Sequence, residues 1–278
     1  MHQALLLTLL LSVPHDSLNA PVDSNYDEPL YNSDPVPRPK TDLKALTVYG
    51  DIAVANTINR NADLCTARGC KWPKSGAFVY VPYYISPQFG QEEQMVIIKA
   101  LQSFNQTSCI RLVPWKPGHR DYLYFESMNG CWSLLGRQDG GQYISLQKGS
   151  CVYHRTVQHE VLHALGFDHE QVRSDRDDYV QILFENIQEE FKFAFEKKIT
   201  NNLGTPYDFY SVMEYDNYAF TKNQQPTILA RIDPYLPIGN AREMSVNDIT
   251  RINRLYQCGY GIKGSASRNL TSKKKFKF

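Results

Sequence analysis

A chain of 278 residues, 42% hydrophobic and 21% charged, has enough apolar matter for one large domain or two small ones. Its net charge of +1 excludes a molecule-wide electrostatic footprint for nucleic acid. The charge is uneven: residues 259–278 hold Lys263, Arg268, Lys273, Lys274, Lys275 and Lys277 and no acid, and without these six, 24 basic residues face 29 acidic ones, a net of −5.

The apolar run Ala4–Val13 is too short to span a bilayer and suits the core of a secretory signal, so residues 1–20 are expected to be a signal peptide. No later run approaches the ~20 apolar residues of a membrane span, so the chain is expected to be secreted and not transmembrane. Residues 21–45 are rich in Pro, Asp, Asn and Ser, with DPVPRPK at Asp34–Lys40, and read as extended or disordered. Leu46–Arg60 follows, and the globular pattern starts near Asn61. Strands are predicted at Phe78–Val81, Ile110–Val113, Tyr122–Phe125 and Tyr143–Leu146. Helices are predicted at Gln91–Phe104, Thr156–Leu165, Phe184–Lys198, with Phe191 and Phe195 four apart, and Val246–Tyr256, capped by Ser245 with Asp248 three residues on. A sheet-rich, helix-backed first half and a loop-rich second half suggest an α+β fold with a cleft between the halves.

Six cysteines, Cys65, Cys70, Cys109, Cys131, Cys151 and Cys258, behind a signal segment imply three disulfides, for which 15 pairings exist. Two sequons, at Asn105 and Asn269, fit the secretory route. The basic residues Lys273, Lys274, Lys275 and Lys277 form either a solvated end or a contact for a polyanionic surface.

The segment Gln158–Val180 concentrates the chemistry. His159 and His163 are four apart, which on a helix places both imidazoles on one face, about 6 Å apart along the axis. One Zn²⁺ ion can take a nitrogen from each. Glu160 stands beside a ligand, aimed to reach a metal-bound water. Gly166 can adopt the left-handed turn that ends the helix and returns His169 as a third ligand. Three protein ligands leave one position open, the mark of a catalytic rather than a structural site. HExxHxxGxxH fixes five positions at rigid spacing, which chance rarely produces. Downstream, Met213 can floor the imidazoles and Tyr215 can bring a phenol to the metal; read alone, each is more readily a packed residue, and the three-His motif upstream shifts that balance.

HEVLHALGFDHE, with Glu170 after the third His, resembles the signature of the astacin family of zinc metalloproteases. Glu170–Asp177, Tyr179, Met213, Cys131-Trp132-Ser133 and Gly136-Arg137 support the resemblance, which spans about Leu46 to Cys258. The added pair Cys65/Cys70 is similar to the six-cysteine astacins of fishes, which include hatching (choriolytic) enzymes and nephrosin. The resemblance implies a metzincin fold of two subdomains with zinc in the cleft, and disulfides Cys65–Cys70, Cys109–Cys258 and Cys131–Cys151. It implies a propeptide at 21–60, a peptidase domain at 61–258 beginning at Asn61 after cleavage at Arg60, and a flexible tail at 259–278. It further implies that Tyr215 is an extra ligand in the resting enzyme, that Glu170 meets the new N-terminal amine, and that Asp51 caps the zinc in the precursor. Without the resemblance, Gly50-Asp51 reads as a simple turn. One departure is Glu214, where the family commonly has His.

These readings together imply hydrolysis of internal peptide bonds in extracellular proteins, egg-envelope proteins among them, by a zymogen expected to act as a monomer. Glu160 would carry the proton and Tyr215 would stabilise the oxyanion. A zinc-binding protein without turnover would have no need of Glu160. A matrix metalloprotease would lack Glu170 and carry a PRCGxPD switch that this chain does not have.

Overall fold

The computed structural model describes residues 36–55 and 69–259. The signal segment, the Arg60–Asn61 junction, Cys65, Asn269 and the lysines at 273, 274, 275 and 277 lie outside the described residues. No helix among the described residues is long and apolar enough to cross a membrane.

Eight strands form one mixed sheet: β1 (Leu46–Tyr49), β2 (Ile52–Ala55), β3 (Lys74–Ser75), β4 (Phe78–Ile85), β5 (Ile110–Pro114), β6 (Tyr122–Glu126), β7 (Cys131–Leu134) and β8 (Gly141–Leu146). Their order is β1-β2-β7-β8-β6-β4-β3, with β5 also paired to β4. β4, β6 and β8 run parallel, whereas β7 is antiparallel to β8. Side chains alternate across the pleat. Leu123, Phe125, Ile144 and Leu146 enter the main core, while Tyr122, Tyr124 and Tyr143 join an aromatic cluster on the other face.

Helix α1 (Gln91–Thr107) lays Ile97, Ala100, Leu101 and Phe104 on the core face. Helix α2 (His154–Ala164) adds Val157, Val161 and Leu162 to the same core, which fixes its remaining face towards the second half of the chain. That half carries a two-stranded sheet, β9 (Val180–Ile182) with β10 (Ile228–Ala230), and helix α3 (Val246–Leu255). Ser245 and Asp248 cap α3 reciprocally, satisfying two of its free N–H groups. Cys109 is joined to Cys258 and Cys131 to Cys151. Cys70 is also disulfide-bonded.

Two findings differ from the sequence reading. Phe184–Lys198 is not an α-helix but two 3₁₀ turns, Phe184–Asn186 and Glu189–Phe195. The reason is tertiary: Ile187 bridges Thr221, and Gln188 N–H donates to the Phe220 carbonyl, so the helical ladder is interrupted. Phe191 stacks on Phe220 at 4.3 Å and Phe195 meets Phe220 edge-on, so Phe220 mediates between the two rings. Second, the sheet begins before Asn61, since β1 and β2 extend it beyond β7. The Asn105 sequon ends in a helix, where Oδ1 accepts from Leu112 N–H at 2.9 Å.

Candidate metal centre and active site

Helix α2 brings His159 and His163 together with their Nε2 atoms 3.0 Å apart. Gly166, at φ +98°, turns the chain, and His169 returns with its Nε2 3.3 Å from that of His159. The far nitrogens are engaged: His159 Nδ1 lies 2.7 Å from the Val212 carbonyl and His163 Nδ1 lies 2.8 Å from the Phe167 carbonyl. A carbonyl can only accept, so each Nδ1 carries the proton and each Nε2 presents a lone pair to the common centre. Burial, followed by its histidine neighbours, pushes His163 well below the usual range and keeps it neutral. These are the requirements of a metal-ligating imidazole.

Asp51 completes the cluster. Gly50 and Asp51 form the two-residue turn between Tyr49 and Ile52, with Gly50 at φ +68°. The Asp51 carboxylate lies 2.9 Å from His159 Nε2 and 2.9 Å from His169 Nε2. The four ligand atoms fall within 4.8 Å of one another. A set of three imidazoles and one carboxylate at this separation fits a single zinc ion.

The surrounding groups bear on the chemistry. Tyr215 donates to Asp51 at 3.2 Å, and its ring lies 4.4 Å from that of His169. Glu160 is buried with Oε2 unpartnered, and burial followed by the Asp51 charge pushes its carboxyl well up. Both line a cavity of about 300 Å³ that also holds Asp51 and His159. Met213 is buried in the core, and its carbonyl accepts from Glu170 N–H at 2.9 Å. Glu170 itself takes a bidentate pair from Arg251 at 2.6 and 2.8 Å, a third bond from Arg173 at 3.1 Å and one from Asp208 N–H. Burial pushes its carboxyl up against the pull of both arginines. An amine arriving at Glu170 would therefore meet a carboxylate already paired. Glu214 is different: it is buried beside the Tyr207 phenol with no salt-bridge partner among the described residues, and burial pushes it well up against the pull of that phenol.

Sequence reasoning missed the role of Asp248 beyond its cap. Its Oδ1 accepts from Ser211 Oγ at 2.6 Å and its Oδ2 from Val212 N–H at 3.0 Å. The cap of α3 therefore clamps the turn whose carbonyl orients His159. Only the SVMEY context hinted at it, because Ser211 and Asp248 are 37 residues apart.

The sequence pattern of the astacin peptidase family matches residues 66–257. High choriolytic enzyme 2 of Oryzias latipes is 46% identical over 215 residues, covering 77% of this chain and 76% of that protein. Low choriolytic enzyme of the same fish is 42% identical over 212 residues, covering 75% and 77%. The solved structure of high choriolytic enzyme 1, a hatching enzyme zinc-protease from Oryzias latipes, superposes with a TM-score of 0.67 at 43% identity. It is covered over 97% of its length by 69% of this chain, so the shared domain stands there without the remainder. With a zinc-compatible cluster on a matching fold, the chain belongs to the astacin family and is a zinc metalloendopeptidase.

Proposed function

We propose that this endopeptidase is secreted as a latent precursor in which His159, His163 and His169 hold the zinc and Asp51 takes the position that water needs. The observation that carries the reading is the Asp51 carboxylate, 2.9 Å from two of the three imidazoles. Zinc, when bound, supplies Lewis acidity that polarises the scissile carbonyl and acidifies water. After removal of residues up to Arg60, Glu160 accepts the water's proton and returns it to the leaving amine. Its carboxyl lines the same cavity as His159, which puts it within reach of the reacting groups. The Tyr215 phenol, freed from Asp51, donates to the oxyanion. Gly166 shapes the return of His169, and Met213 supports the turn behind it. The new amine at Asn61 would join the Glu170 cluster.

The substrates are proteins. The likeness to choriolytic enzymes at 42–46% identity supports egg-envelope protein as the class, and the signal-like Ala4–Val13 run supports secretion. The test compares two uncleavable precursors, Arg60→Gln with and without Asp51→Ala, on casein. The Ala form should be active without processing. A folded, zinc-loaded Ala form that stays inert would remove Asp51 as the switch.

A further inference from the structure

The sheet face opposite the main core is paved with aromatic side chains. Tyr84 and Tyr124 lie 5.0 Å apart between ring centres, Tyr124 and Tyr143 5.6 Å, and Trp132 belongs to the same cluster. This face is covered by residues that precede Arg60: Val36 and Leu46 pack against it, as does Ala53. The cover at 36–40 has unusual chemistry. It reads Val-Pro-Arg-Pro-Lys, so proline fixes φ at 37 and 39 and restricts the residue before each. Such a chain is already extended, and its carbonyls find no partners within itself. Here the Tyr122 phenol donates to the Pro37 carbonyl, and Pro39 is buried. The Arg38 guanidinium lies 3.7 Å from the Glu126 carboxylate. Glu126 is 4% exposed; one oxygen accepts from Ser86 Oγ at 3.4 Å, and the other is buried with no hydrogen-bond partner among the described residues. Gly141 stands opposite Tyr122, and a Cβ there would fall 2.5 Å from the Tyr122 ring, so its absence leaves room for the ring.

Aromatic rings, a phenol aimed at a proline carbonyl and a buried carboxylate beside an arginine form a receptor for an extended proline-rich basic peptide. Resting on the precursor reading above, we propose that loss of the propeptide bares this face as a substrate-docking site, separate from the catalytic centre, for Pro-Arg-Pro segments of protein substrates. Residues 36–40 occupy it in the precursor in the manner of such a segment. The chain leading from them reaches Asp51 at the metal centre through β1, so a segment docked here can share one substrate molecule with the cleft.

The test uses a synthetic peptide of residues 36–42, which lacks Asp51, titrated against the intact precursor and against precursor cleaved at Arg60 and freed of its propeptide. Tryptophan fluorescence should show saturable binding to the processed form and none to the precursor, whose face is filled. Glu126→Gln should weaken binding about two- to fivefold, the worth of an ion pair whose arginine is largely exposed. Arg38→Ala in the peptide should do the same, and the two changes together should cost no more than either alone. Tyr122→Phe, which removes the hydrogen bond to the Pro37 carbonyl, should weaken binding by at least as much. Attaching the peptide to a short fluorogenic substrate should lower KM and leave kcat unchanged, an advantage that Glu126→Gln reduces. The proposal is overturned if the processed chain does not bind the peptide, or binds it as well after Glu126→Gln or with alanine in place of both prolines. A processed chain that cannot cleave the untagged substrate would count against the precursor reading, and the fluorescence titration would still decide the docking site.

Discussion

Gly50→Ala, placed in the uncleavable Arg60→Gln precursor, should open the latent enzyme without replacing any catalytic residue. Gly50 sits at φ +68°, and a Cβ built there would lie 2.7 Å from the Tyr215 hydroxyl and 3.5 Å from Phe220. An alanine in the left-handed region costs about 1–2 kcal/mol. The hydroxyl can retreat only by giving up its bond to Asp51, a further ~1 kcal/mol. A weakening of about 2–3 kcal/mol raises the open fraction roughly 30- to 150-fold. The assay is basal hydrolysis of a quenched fluorescent peptide by the two uncleaved precursors, matched for zinc content and circular dichroism. Gly50→Ala in a cleavable background supplies the control: once processed, it has lost residue 50, so its kcat/KM must equal that of the unmodified processed enzyme. Equal basal rates for two folded precursors would refute the reasoning, because the clash would then have been absorbed at no cost to the clasp.

Glu160→Gln in the processed enzyme should retain zinc and fold but lose about 10²–10⁴-fold in kcat, and near-normal turnover of a zinc-replete protein would exclude Glu160 as proton carrier. Tyr215→Phe should lower kcat about 10²-fold with KM little changed, whereas a loss confined to KM would mark the phenol as a ground-state contact. Arg251→Gln strips the bidentate partner from a 3%-exposed Glu170 carboxylate and should cost about 3 kcal/mol, a fall of roughly 6–12 °C in Tm; a fall under about 2 °C would show that Arg173 suffices. Asp175 is held below its ordinary 3.8 first by the hydrogen bond from Arg173. A depressed carboxyl stabilises the fold above its unfolded pKa and loses that contribution as pH falls through its folded value. Asp175 is one-third exposed, so Asp175→Asn should cost only about 1 kcal/mol at neutral pH. The Tm gap should close as the pH drops below 3.8, and a gap constant with pH would assign the loss to packing.

What the sequence made legible was short-range. His159, His163 and His169 lie within eleven residues, and helical periodicity plus the turn at Gly166 bring them together with no information from elsewhere. The same local logic recovered α1, α2 and α3 to within a few residues at their ends. It failed at Phe184–Lys198, where apolar spacing suits a helix but the N–H of Gln188 is claimed by Phe220 across the fold. It failed again at β1 and β2, where Ile52 and Ala53 are strand residues because Ser133 and Leu134 offer an edge some 80 positions on. The groups that aim the ligands obey no local rule either. The carbonyl that sets the His159 tautomer comes from 53 residues away, and the arginine that neutralises Glu170 from 81. Periodicity can thus name the atoms that would bind a metal. The tautomer, the burial and the paired charges that make those atoms competent arise only when the second half of the chain closes over α2. That division explains Glu214, whose neighbours in sequence give no reason for a carboxylate there. In the fold it is buried beside the Tyr207 phenol, two residues from the carbonyl of Val212 that aims His159, and burial raises the affinity of its carboxyl for a proton.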